Sequence, residues 1–339
     1  MKLNLTLACG LYDRTIALQN GSVSPEGIDL NYLMLGNSLT VSFVELFRRQ
    51  ARYAEFDVSE FSLSTYTILH AKGDRRMVAI PVFLCRKFRH ADIYINKNAG
   101  IHEPKDLAGK RVGAMEYQQT AAVWIRGILE GDYGVQPSQI EWHFGGYNEP
   151  ETYSERIPVT LPPNVRAKTI SNQQCLDQML ECGEIDALIG AIPPRSLQAG
   201  SPNVARLFPN YQEVELDYYR RSDIFPIMHT VVIKREIYEK APWVAMSLYK
   251  AFARSKAAGL RRLQFGGAPF CTLPWLGMHL EELRAQMGSD PFAYGVEENR
   301  HVLETFLRYS HDQGMISNPL TVDELFAPET HHGVEPVEV

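Results

Sequence analysis

The sequence predicts an α/β; two-lobe architecture, with two crossing hinge strands between the lobes and helices toward the C-terminal end. Three observations predict it. Short apolar runs alternate with helically spaced stretches from the first residues onward, the pattern of a sheet with helical crossovers. Residues 77–83 are almost continuously apolar, as in a parallel strand buried on both faces. A second apolar run, residues 224–233, returns after a long excursion, so the chain leaves one lobe and comes back to it. A chain of 339 residues also exceeds the usual single core.

In order, residues 3–8 read as the first strand and 28–35 as the second, after the turn Ser24-Pro25-Glu26-Gly27. A helix follows over 40–51, with Val44, Phe47 and Arg48 at helical spacing, and then a strand over 56–60. Further strands are expected at 140–144, 165–170 and 184–189, and amphipathic helices at 242–263, 273–286 and 300–313 that pack on the first lobe. The expected division is 1–91 plus 230–330 for the first lobe and 92–229 for the second. Residues 331–339 lack periodicity and read as a disordered tail, with His331 and His332 exposed in it.

Composition narrows the function. With 34 Lys and Arg against 40 Asp and Glu, the net charge is -6 without charge blocks, which argues against a nucleic acid or a membrane surface as partner. Five cysteines, none in a Cys-x-x-Cys spacing, argue against a disulfide framework or a structural zinc. The start alternates apolar residues with Asn4 and Thr6 and stops at Gly10. Leu7-Ala8-Cys9-Gly10 therefore reads as the end of a strand rather than an export cleavage site, and the expected setting is cytoplasmic. Trp124, Trp243 and Trp275 fall in apolar helical patterns and read as core. Apolar faces on the C-terminal helices suit a homo-oligomer, or packing on the chain's own lobe.

The stretch Glu116-Tyr117-Gln118-Gln119-Thr120-Ala121-Ala122 follows a short strand and opens a helix, where unpaired N–H groups favour a carboxylate. Just before it, Asp106-Leu107-Ala108-Gly109-Lys110-Arg111-Val112-Gly113 resembles the entry to the second domain of a type II periplasmic-binding-protein-like fold, and Gly183-Glu184-Ile185-Asp186-Ala187 resembles a helix-to-strand passage of that fold.

A more specific likeness runs along nearly the whole chain. Leu7-Ala8-Cys9-Gly10 with Tyr12-Asp13-Arg14-Thr15, Gly27-Ile28-Asp29-Leu30, Arg89-His90, Glu116-Tyr117-Gln118 with Thr120-Ala121-Ala122, Phe225-Pro226-Ile227-Met228-His229-Thr230 and Leu325-Phe326-Ala327-Pro328-Glu329-Thr330 together resemble the 4,5-dihydroxyphthalate decarboxylase family. The resemblance implies loss of carbon dioxide from an aromatic dicarboxylate, giving protocatechuate, in a cleft between lobes. Such chemistry needs cationic or N–H anchors for the retained carboxylate, a base near the catechol oxygens and an acid near the leaving group. No organic electron sink is required, which agrees with the lack of a glycine-rich dinucleotide loop and with the expectation of no cofactor.

On that template His90, His229 and Glu116 are the candidate acid/base residues, since histidine titrates near neutrality. Arg14 and Arg89, with Arg86 behind them, are the candidate carboxylate forks. Tyr12, Glu60, Ser62, Ser64, Tyr117, Gln118 and Thr120 are expected around the substrate. The competing role for the serines is to cap the helix that follows them, and for Glu116 to cap its helix or balance an arginine. A divalent metal held by His90, His229 and Glu116 ranks below metal-independent catalysis, and His143 and His279 have no partner at ligand spacing. The rival reading is a non-catalytic aromatic carboxylate-binding protein, a solute receptor or sensor.

Overall fold

The computed structural model describes residues 2–36, 42–152, 155–268 and 270–332. The chain divides into two compact units. The first runs up to Arg86 and takes in Ile227–Glu304 and the chain from Leu320 on; the second is Lys87–Pro226 with Thr305–Pro319. The sequence had placed the divisions at 91/92 and 229/230 and kept the last helix wholly in the first lobe.

The first unit is built on β1 (Leu3–Cys9), β2 (Ile28–Met34), β3 (Val58–Ser62) and β4 (Met77–Arg86), with α1 (Ile16–Gln19), α2 (Phe43–Tyr53) and α3 (Leu63–Ala71) between them. The second unit carries β5 (Ile93–Asn96), β6 (Arg111–Ala114), α4 (Thr120–Tyr133), β7 (Glu141–Phe144), β8 (Arg166–Thr169), α5 (Leu176–Cys182), β9 (Ala187–Ile189), α6 (Arg195–Gln198), β10 (Val204–Arg206) and α7 (Tyr211–Ser222). The chain then resumes the first unit with β11 (Ile227–Lys234), α8 (Arg235–Lys240), α9 (Trp243–Gln264) and α10 (Leu276–Met287). Helix α11 (Arg300–Asp312) begins among first-unit residues and ends among second-unit residues.

In the first unit the strand order is β2-β1-β3-β11-β4. β1 is parallel to both β2 and β3, while β11 lies antiparallel between β3 and β4. The apolar run at 77–83 is therefore not a parallel strand, as its composition had suggested. It is an antiparallel strand at the sheet margin, and it is apolar because both faces are buried. Its outer edge is closed by the C-terminal segment. Ala327 donates its N–H to the Ala79 carbonyl at 2.9 Å, and the Tyr66 hydroxyl donates to the Leu325 carbonyl at 2.6 Å while accepting from the Ala79 N–H. The Leu325-to-Thr330 motif thus covers an edge that would otherwise be open to another strand. His331 belongs to the same strap, with Nε2 3.2 Å from the Phe326 carbonyl, and is half-buried rather than exposed as expected. The remainder of the expected tail, 333–339, lies outside the described residues.

The second sheet runs β10-β5-β9-β6-β7-β8. Its β8 edge, Arg166-Ala167-Lys168-Thr169, is exposed throughout, and its two cations discourage edge-to-edge pairing. Helix α4 is buried along its first ten residues. Trp124 packs tilted against Phe306 at 5.4 Å and meets Tyr309 edge-on at 5.7 Å. The fully buried Arg126 donates from Nε to the Gln313 side-chain oxygen at 2.8 Å and from Nη2 to the Tyr117 carbonyl at 2.6 Å. Those contacts draw the end of α11 into the second unit, against the expectation that the C-terminal helices all pack on the first. Trp124 is core as expected; Trp243 and Trp275 are exposed, at 48% and 75%. Helical spacing marks an apolar stripe but does not say whether anything covers it.

A Cβ on Gly127 of α4 would overlap the Tyr309 ring. Gly127→Ala gains up to ~1 kcal/mol of helix propensity, but displacing a ring costs ~1–3 kcal/mol. Urea denaturation should show a net loss of stability for Gly127→Ala in the native background, and a gain for the same change in a Tyr309→Ala background.

Candidate active site

Parallel pairing of β1 with β3 sets Ala8 beside Ser59, so Gly10 and Glu60 emerge at the same end of the sheet. β11 enters there antiparallel, with Val231 opposite Glu60 and His229 opposite Ser62. Three segments remote in sequence thus meet on one carboxylate. Glu60 Oε1 lies 2.6 Å from His229 Nδ1 and accepts the Tyr12 hydroxyl at 2.7 Å; Oε2 accepts the Gly10 N–H at 2.9 Å and the Cys9 thiol at 3.6 Å.

The Gly10 peptide is fixed from both sides, because its carbonyl accepts from the Tyr32 hydroxyl at 2.6 Å and from the Thr15 hydroxyl at 3.2 Å. Glycine is required there by close approach. A Cβ would sit 2.9 Å from the Phe43 ring and 3.0 Å from the Tyr12 ring. Phe43 and Phe47 pack on His229 at 5.1 and 4.8 Å between ring centres. The Glu60 side chain is fully buried whereas the His229 side chain keeps 14% exposure, so the imidazole is the member of the pair open to a ligand. With Nδ1 turned to Glu60, Nε2 is the nitrogen on the opposite side of the ring.

The electrostatics follow from this packing. Burial alone would raise the Glu60 carboxyl, but the hydrogen bond and charge of His229, the Gly10 N–H and the Tyr12 hydroxyl together hold it below its ordinary value. Burial and the Glu60 charge push the Tyr12 phenol far up, so it remains a donor. The same two causes raise the Cys9 thiol.

The expected site residues are thus divided. Tyr12, Glu60 and His229 come together, although Glu60 lies behind the histidine instead of lining a wall. Arg14 stands next to them, its guanidinium 4.2 Å from the Tyr12 ring centre and 4.7 Å from that of Phe292. It is not a free fork: Nε and Nη2 both donate to the Leu84 carbonyl, and Nη1 pairs with Asp13 at 3.0 Å. Arg86 is buried and donates to Asn299 and to the Ala293 carbonyl. The Ser62 hydroxyl caps α3 by accepting from the Thr65 N–H, the competing role foreseen for the serines, while Ser64 lies within the helix with its hydroxyl 3.2 Å from that of Ser62.

The remaining candidates belong to the second unit. Arg89 is buried in an ion pair with Asp92 at 2.8 Å. His90 is buried against Phe208 and Tyr218, at 5.5 and 5.1 Å between ring centres, and neither ring nitrogen has a hydrogen-bond partner among the described residues. Burial first, and Arg221 second, lower its pKa to about 4. Glu116 does not cap α4, whose N-cap is Gln119; it is buried against Arg156 at 3.3 Å and accepts the Arg156 N–H at 3.1 Å. Tyr117 lies under Arg126 at 3.7 Å as core, Gln118 donates to the Ile157 carbonyl at 3.0 Å, and Thr120 is buried at the first position of α4. Among the described residues, no three His, Cys, Asp or Glu side chains are grouped so as to hold a metal ion. Sequence reasoning missed the Gly10 N–H, Phe43 and Phe47. A glycine directly after a strand, before Tyr12-Asp13-Arg14, was the available signal for the first; nothing local marks the aromatic pair.

Two α/β sheets, each with an antiparallel strand set among parallel ones, define the fold class. The fold is similar to the periplasmic aliphatic sulphonate-binding protein SsuA of Escherichia coli, with a TM-score of 0.53 and 11% identity over 98% of this chain and 99% of that one. This is the type II periplasmic-binding-protein fold. No model of a protein family matches the chain. It is 40% identical over 327 residues to the 4,5-dihydroxyphthalate decarboxylase of Comamonas testosteroni, covering 96% of this chain and 97% of that protein. It is 39% identical over 219 residues to the 4,5-dihydroxyphthalate decarboxylase of Pseudomonas putida, covering 65% and 82% respectively. The chain belongs to the 4,5-dihydroxyphthalate decarboxylase family.

The folded value of about 4 for His90 lies below the ~6.5 of a free imidazole. Between those pH values the unfolded chain binds a proton that the folded chain does not, so stability falls as pH drops through that window, by up to about 3 kcal/mol. Urea unfolding from pH 7 to 4 should show this slope, and His90→Phe, which keeps a ring without a titrating nitrogen, should reduce it.

Proposed function

We propose that the chain decarboxylates 4,5-dihydroxyphthalate to protocatechuate and carbon dioxide, and that His229, held by Glu60, is its proton-transfer residue. The observation that carries the site assignment is the contact between His229 Nδ1 and a wholly buried carboxylate that also accepts from Tyr12 and Gly10. Family membership supports the reaction class.

In this substrate each hydroxyl is para to one carboxylate. Ionising a hydroxyl drives electron density to the ring carbon that bears the opposite carboxylate, and His229 delivers a proton there from Nε2. The carbon–carbon bond then breaks, its electron pair returns to the ring, and carbon dioxide leaves. The phenolate and the imidazole are reprotonated from solvent, so each turnover takes up one proton in forming the new C–H bond. Glu60 acts through the histidine. Its hydrogen bond fixes which ring nitrogen faces the substrate, and its charge stands behind the ring through which the proton passes. Tyr12 and Gly10 keep the carboxylate ionised and immobile. Arg14, with its guanidinium beside the Tyr12 ring, supplies positive field for the retained carboxylate. His90, enclosed by aromatic rings that favour its neutral form, is left out of the proton path.

The proposed setting is cytoplasmic, and the proposed assembly is a homo-oligomer. Cell fractionation tests the first.

The decisive assay follows carbon dioxide release and the ultraviolet change with 4,5-dihydroxyphthalate. His229→Ala should lower kcat by ~10²–10⁴-fold in a folded protein. Glu60→Gln should lower kcat by a similar ~10²-fold or more while leaving KM within a few-fold, since it acts on the histidine rather than on the substrate. Wild-type turnover by either variant removes that residue from the mechanism. Tight binding without turnover by the native chain marks a receptor instead.

A further inference from the structure

Helix α10 has no buried residue, although its sequence includes Leu276, Met278, Leu280, Leu283 and Met287. Of the eleven large hydrophobic side chains exposed among the described residues, six lie between 265 and 283: Phe265, Phe270, Leu273, Trp275, Met278 and Leu283. An even scatter of exposed apolar residues is normal in a soluble protein; a concentration of this kind is not.

The area can be set against what a contact requires. Taking ~150–250 Å² for each large side chain, the exposed fractions leave roughly 650 Å² of apolar surface on these six. That exceeds the ~300–600 Å² of the largest patch on a typical monomer. Doubled across two copies it reaches roughly 1,300 Å², within the ~1,200–2,000 Å² range of specific stable interfaces.

The patch has both a concave and a projecting part. Between the end of α9 and the start of α10 runs a groove of about 490 Å³, floored by Leu263, Leu276 and Leu280. At its margin stand Phe265 and Trp275, the two most prominent projections, at 64% and 75% exposure. Trp275 has φ +58°, a left-handed conformation that bulky residues avoid. Such strain persists where a function retains it, and here it precedes α10 and carries the indole into solvent.

Both signs of charge border the patch. Arg261 and Arg262 close α9, while α10 carries Glu281, Glu282 and Arg284. A second copy brings the same two signs, so a twofold contact can set its acids against these bases.

We propose that the α9–α10 face is a self-association surface that joins two copies of this chain about a twofold axis. The surface gives the homo-oligomer its place in the molecule, and it rests on that reading alone, not on the assignment of the reaction. It contains none of Tyr12, Glu60 or His229.

Sedimentation velocity of the full chain across micromolar concentrations tests it. The native protein should run at twice the chain mass or a multiple of it. Trp275→Glu and Leu283→Glu should each weaken association by at least roughly 30-fold, while Tyr53→Glu, at an exposed site outside the patch, should leave it unchanged. Cys271 lies within the patch and gives a readout that needs no disruptive change. In a Cys182→Ser background, a short bis-maleimide should join two chains through it. A native chain that is monomeric throughout, an oligomer indifferent to both glutamate substitutions, or flotation of the native monomer with phosphatidylcholine–phosphatidylglycerol vesicles overturns the proposal. Decarboxylation measured on the same samples separates the two readings. Monomeric variants that still turn over substrate support this surface and the site together, whereas dimers without turnover leave the surface standing and remove the reaction.

Discussion

The buried Glu60 carboxylate is the constraint on which the first unit's site depends. A charge removed from water is tolerated only when charge partners and hydrogen-bond donors replace what water supplied. Here the replacements are a backbone N–H from the end of β1, a phenol three residues after that strand, and an imidazole from β11. The first two come from one stretch of chain and the third from another, so satisfying one side chain fixes the mutual placement of β1, β3 and β11. Of the carboxylate and the imidazole, only the imidazole keeps exposure, which turns a requirement of burial into a directed functional group.

The surrounding architecture serves the same end. Parallel pairing of β1 and β3 delivers Gly10 and Glu60 to one end of the sheet, and the antiparallel insertion of β11 brings His229 to that end without a further crossover. Gly10 carries no side chain because Phe43 and Tyr12 occupy the space, and those aromatic groups also shield the carboxylate from water. Low polarity strengthens the hydrogen bonds already made and raises the penalty for breaking any one of them.

The second unit manages its buried charges by a different rule. Glu116 meets Arg156, and Asp92 meets both Arg89 and Lys87, so each of these charges has an opposite one beside it. Arg126 has no carboxylate beside it and is held by carbonyl and amide oxygens under the Tyr117 ring, with its pKa lowered by burial to about 10. His90 goes furthest, since its surroundings favour the neutral form outright. Residues singled out by type as candidate machinery are in this unit largely occupied with holding segments together.

The amino-acid sequence by itself determined the alternation of strands and helices, most element positions to within a few residues, and the family, because these rest on local periodicity and on the order of motifs along the chain. It also marked Tyr12, Glu60 and His229 as chemically apt. It could not tell which apt residues meet. The arginines look alike in sequence, yet Arg14 is clamped to a carbonyl, Arg86 to an asparagine and Arg89 to an aspartate, because partners remote in the chain compete for every donor. The apolar run at 77–83 announced burial but not strand direction, since burial on two faces leaves the same signature in parallel and antiparallel neighbours. Helical spacing likewise put Trp124 and Trp275 in one category, and only packing separated a core residue from an exposed one. Which side chains share a carboxylate, and which faces remain uncovered, are properties of long-range contact, and those the tertiary structure alone decided.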